Sequence, residues 1–144
     1  MISPPAGDPA VLVIPTGENP SPNVLRYWVD SALTGVPVLP GLHVAIVVEE
    51  LVANAREHGR MPCVLRLSPD ETGRHLLVLV EDTDPDDGER WPTGAGLTLV
   101  DALSLDWGVD PRPSGKTVWA EIAMTTRRVG LVVPPQSWPS PDPR

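Results

Sequence analysis

The chain has 144 residues, with 19 acids against 11 bases and a formal charge of −8, a poor balance for nucleic-acid binding, which needs clustered Lys and Arg. Its one cysteine, Cys63, excludes an intrachain disulfide and a thiolate zinc site, and no apolar run approaches the roughly 18 residues of a membrane span. Six of the 19 prolines fall in the first 22 residues and five in the last 11. The folded unit is therefore expected over residues 10–123, between a Pro-rich lead (1–9) and a Pro-rich tail (124–144). Residues 1–10 lack the basic and apolar regions of a signal peptide, so a soluble cytoplasmic protein is expected.

Ala10-Val11-Leu12-Val13-Ile14, bounded by Pro9 and Pro15, reads as an edge strand. From Asn23, a candidate cap, the apolar residues Leu25, Trp28, Val29, Ala32, Leu33 and Val36 recur at helical spacing until Gly35 and Pro37. Residues 41–58 predict a longer helix, with Val44, Val47, Val48, Leu51 and Ala55 as its stripe and Gly59 at its end. Residues 63–67 and 75–80 predict a hairpin, the second strand apolar enough to be buried on both faces. Residues 81–89 hold six acids and no periodicity, a loop running on to Gly94-Ala95-Gly96. A short helix over 97–103 and strands over 105–109 and 117–122 complete the chain. Hairpins with helices grouped between them predict an α+β, two-layer α/β sandwich.

Glu50, Asn54 and His58 follow at intervals of four and share one helix face beside the apolar stripe. A carboxylate and an amide one turn apart suit a hydrated Mg²⁺, and the carboxylate can serve as a base. The same spacing also serves a plain helix face with i,i+4 hydrogen bonds. Asp82, ending a strand, can accept from an exocyclic amine in an apolar pocket, or simply begin an acidic surface loop. Gly94 and Gly96 open a helix whose backbone N–H groups can face a phosphate; a flexible loop exit looks the same. Gly115-Lys116-Thr117 is no P-loop, because Pro111 and Pro113 remove N–H donors and the following residues alternate as a strand. Lys116 is the chain's one lysine, read here as a compositional bias toward arginine. The histidines have no metal-ligand spacing, and Cys63 reads as a small core residue.

Together these segments resemble the GHKL (Bergerat-fold) ATPases, and most nearly the small anti-sigma-factor serine/threonine kinases among actinobacterial ATP-binding regulators. The N-box resemblance lies in Glu50-Leu51-Val52-Ala53-Asn54-Ala55-Arg56-Glu57-His58-Gly59. The adenine box is matched by Val80-Glu81-Asp82-Thr83-Asp84, and the second glycine box by Gly94-Ala95-Gly96-Leu97-Thr98-Leu99-Val100-Asp101. Trp107-Gly108-Val109 and Gly115 to Glu121 match the C-terminal strands. The resemblance implies a mixed sheet with helices on one face, and ATP and Mg²⁺ as cofactors. It implies that Asn54 holds Mg²⁺, that Glu50 is the general base, and that Asp82 takes the adenine amine with Thr117 in support through water. Gly94 and Gly96 would reach the phosphates, and His58, Asp84 and Leu97 would line the nucleotide. The implied partners are a sigma factor and a STAS-type anti-sigma-factor antagonist, the latter phosphorylated; a homodimer is compatible with this. Asp84 stands where the family usually has glycine, Ala95 where close relatives often have arginine, and the lid carries Asp86, Asp87 and Glu89 as well. These departures motivate the alternative of a non-catalytic partner-switch module on a degenerate ATP-binding fold.

Overall fold

The computed structural model describes residues 9–84 and 95–125. Its elements run β1 (Ala10–Ile14), α1 (Pro22–Ala32), α2 (Val38–His58), β2 (Cys63–Pro69), β3 (His75–Asp82), α3 (Ala95–Leu103), β4 (Asp106–Arg112) and β5 (Gly115–Ala123). The five strands form one sheet in the order β1-β2-β3-β5-β4, with the helices layered against it. The fold is thus the expected α+β two-layer sandwich.

The sheet is antiparallel throughout rather than mixed. Two helices in series between β1 and β2 return the chain to the end it left, so β2 runs back along β1. The α3 crossover leaves β4 parallel to β3, but β5 folds back between them and no parallel pair forms.

Local chemistry sets the helix ends. The Ser21 hydroxyl, not Asn23, caps α1 by accepting from the Val24 N–H at 3.2 Å. Pro22 at the first helical position has its φ preset and no N–H to satisfy. Helix α2 starts at Val38, three residues earlier than expected, because Pro40 stands in the first turn, where an N–H has no helical partner anyway. Helix α2 ends at Gly59 as its sequence predicts: the Gly59 N–H bonds the Ala55 carbonyl at 2.9 Å.

By length and composition α2 is apolar enough to cross a membrane, with a mean hydropathy of 1.5 over 18 residues, although polar residues interrupt its apolar run. Here half of that window is buried: Val44, Val47, Val48, Leu51, Val52 and Ala55 are at most 1% exposed. They meet Leu65 and Leu67 of β2, Val78 and Val80 of β3, and Val118, Ala120 and Ile122 of β5 in one core. Each such side chain contributes roughly 1.5–3 kcal/mol of burial. Strand β3 alternates buried and half-buried positions from His75 to Asp82, so one of its faces is covered rather than two.

On the opposite face, Trp119 lies across β4 at Gly108, where an added Cβ would stand 2.9 Å from the indole. Helix α3 begins at Ala95 and is tied to β4 by the Trp107 Nε1–H, which donates to Asp101 at 2.9 Å. Strand β4 extends through Pro111 to Arg112, so a two-residue Pro113-Ser114 turn joins it to β5.

At the β2–β3 turn, Asp70 accepts from the Thr72 hydroxyl at 2.9 Å and sits 2.8 Å from His75 Nδ1. Burial pushes the Asp70 carboxyl up, but bonds from the His75 ring, Thr72 and the His75 and Gly73 backbone outweigh it and bring it from 3.8 down to about 2. A depressed carboxylate stabilises the fold fully above its unfolded value and loses that contribution as pH falls. Urea titrations should therefore show Asp70→Asn less stable than the parent at pH 5 and indistinguishable from it near pH 2.

Candidate functional site

The site gathers where the C-terminal end of α2 meets the end of β3. The Thr83 N–H and hydroxyl both bond the Arg60 carbonyl, each at 3.0 Å, clamping the two elements together. The approach is so close that a Cβ on Gly59 would collide with the Asp82 carboxylate. On the other side, a Cβ on Gly115 would strike the Asp82 carbonyl, and φ there is +155°. Asp82 therefore lies in a cradle that only glycine at 59 and 115 leaves open.

Among the described residues four polar ones are buried: Asn54, Asp82, Lys116 and Thr117. Asn54 faces the core margin at 9% exposure, and its buried Nδ2 has no hydrogen-bond partner among the described residues. An unpaired buried amide costs about 1–3 kcal/mol, so the group is suited to a partner from outside the chain. Asp82 accepts from the Asp84 N–H at 2.9 Å. Its other partner is Lys116, whose Nζ lies 3.0 Å from Oδ2 and 3.3 Å from Oδ1, both side chains being 1% exposed. The Asp84 carboxylate stands 3.9 Å from the same ammonium. Two carboxylates thus approach one cation.

The compositional reading of Lys116 missed its position. Register explains the placement: Asp82 is opposite Lys116 and Glu81 opposite Thr117. Side chains alternate across a sheet, so Asp82 and Lys116 share the helix-covered face while Thr117 lies on the other. The residue in direct contact with Asp82 is Lys116, while Thr117, expected to lend support through water, is buried opposite Glu81. Alternation along residues 115–122 with an acid near 82 was the available signal, but it needed the register to become a pair.

Of the remaining candidates, Glu50 is half-buried and lines a cleft of about 460 Å³ between the start of α1 and α2, with Ser21, Leu25, Glu49, Ala53 and Arg56 among its walls. His58 is exposed at the end of α2, 3.6 Å from Glu57. Leu97 is 4% exposed and belongs to the hydrophobic core, because α3 turns that face onto α2. Gly96 is the second residue of α3, while Gly94, Asp86, Asp87 and Glu89 lie outside the described residues. Burial pushes the Cys63 thiol up to about 11, helped by the Asp82 charge and opposed by Arg56, so this cysteine stays protonated and inert.

No protein-family model matches the chain, and no curated protein matches it. Among solved structures it is similar to the histidine kinase domain from Erythrobacter litoralis EL346 blue-light activated histidine kinase. The TM-score is 0.47 at 22% identity, over 69% of this chain and 61% of that one.

Losing one member of a buried ion pair leaves an uncompensated charge. Lys116→Ala should lower the unfolding free energy by about 3–5 kcal/mol in urea, and the double variant Asp82→Asn/Lys116→Met by clearly less.

Proposed function

We propose that the chain is an ATP- and Mg²⁺-binding protein serine/threonine kinase of the anti-sigma-factor type, acting on a STAS-type antagonist and binding a sigma factor or similar regulator. The observation that carries this reading is two buried polar residues on the two elements clamped together, Asn54 of α2, whose Nδ2 has no hydrogen-bond partner among the described residues, and Asp82 of β3 in its glycine cradle. The residues fit the nucleotide: Asp82 offers a buried acceptor to a base, and Asn54 offers an amide at the core margin. No three His, Cys, Asp or Glu side chains converge on a metal position among the described residues. Mg²⁺ would accordingly take one oxygen from Asn54 and the rest from phosphates and water, its usual preference. Bound ATP would supply the phosphoryl group.

Glu50 then acts as the general base. It is half-buried on the same helix as Asn54, and the cleft it lines gives a protein hydroxyl a way to reach it. The carboxylate accepts the hydroxyl proton and orients the oxygen for attack. The second reading, a non-catalytic partner-switch module, is favoured by the engagement of Asp82 with Lys116 and the Asp84 N–H.

Calorimetry separates the two. The kinase reading expects micromolar binding of ATP with Mg²⁺, weakened at least tenfold in Asn54→Ala, whereas absence of binding would favour the partner-switch module. With radiolabelled ATP and the cognate antagonist, transfer should fall at least a hundredfold in Glu50→Ala, the scale of a lost general base.

A further inference from the structure

We propose that Lys116 makes this site read a purine through a paired acceptor and donor, so that it accepts guanine as well as adenine nucleotides. The proposal rests on the nucleotide-binding reading above and adds to it a residue that determines base selection. A lone carboxylate offers only lone pairs. It suits the 6-amino group of adenine and repels the 6-oxo group of guanine, which is itself an acceptor. Asp82 is not alone: the Lys116 ammonium, which carries donors and no acceptor, lies 3.0 Å from Oδ2.

The two heads form a short edge with opposite hydrogen-bonding character. Adenine satisfies it by donating its amine to Asp82 and accepting at its N1 from Lys116. Guanine satisfies it by accepting at its 6-oxo oxygen from Lys116 and donating its N1–H and 2-amino group to Asp82. Both side chains are 1% exposed, so a base edge that reaches them does so without water to fill a mismatch. That is where an unmatched donor or acceptor costs most. Thr117 cannot take the role of Lys116, because its register partner is Glu81 on the far face of the sheet. The pair is also held rather than incidental, since Asp84 sits 3.9 Å from the same ammonium and its N–H fixes Asp82 Oδ1.

The test is calorimetric titration of the full chain with MgATP and with MgGTP, repeated on Lys116→Met. The expected result is a GTP dissociation constant within tenfold of that for ATP. Lys116→Met should then weaken GTP at least tenfold more than it changes ATP. Tight ATP binding with GTP more than tenfold weaker in the parent chain would overturn the inference and leave the nucleotide site standing. So would a Lys116→Met chain that folds, by circular dichroism, and keeps the parent's ratio. Binding of neither nucleotide by the parent would overturn both readings. Should Lys116→Met fail to fold, the parent ratio alone decides.

Discussion

The structure depends on one packing constraint: the apolar stripe of α2 must be buried against a single face of the sheet. Val44, Val47, Val48, Leu51 and Val52 lie on Leu65, Val78, Val80, Val118 and Ala120, all at most 1% exposed. A one-residue slip in any strand would turn its apolar set outward, so this burial holds the register of β2, β3 and β5. The polar site inherits that register. With Val80 opposite Val118 and Val78 opposite Ala120, Asp82 has no choice but to stand opposite Lys116.

The site is therefore an edge effect of the core. Along β3 the buried positions read Leu76, Val78, Val80 and then Asp82, the point where the apolar series runs out but the covered face continues. Along α2 the same transition falls at Asn54, beside the last apolar residues of the stripe. Charges placed there are desolvated by a core they did not create. Desolvation is expensive unless each charge finds partners, and the Lys116 ammonium and the Asp84 N–H supply them for Asp82. The glycines at 59 and 115 are part of the same arrangement, because they let backbone come within contact of that carboxylate.

The legible part of this molecule is its local chemistry. Helical periodicity, Gly59 at the end of α2 and the strand alternation over β5 placed every element in the right order, with ends displaced by a few residues. Those displacements have local causes: Pro22 and Pro40 are harmless in a first turn, so α1 and α2 start at positions a simple proline rule would reject. Strand β3 looked doubly buried because Leu77 and Leu79 are as apolar as their neighbours. They lie on the half-covered face, Leu77 opposite Ser68 and Glu121 and Leu79 opposite Arg66 and Trp119. The expected roles of Glu50, Asn54 and Asp82 rest on side-chain chemistry and on resemblance; what the fold adds is that Asn54 and Asp82 are buried.

What spacing along the chain could not supply was any relation between residues far apart in it. Lys116 and Thr117 are adjacent, and nothing local says which of them meets Asp82, 34 residues away. That choice is made by strand pairing, which assigns neighbours on a sheet to opposite faces. The antiparallel sense of the whole sheet is of the same kind, set by how two helices in series and a returning hairpin deliver the strands. Elements and their chemistry are properties of segments, whose propensities act over a few residues. Partnership across the sheet is a property of the packed core, which alone brings residues 82 and 116 out of water together.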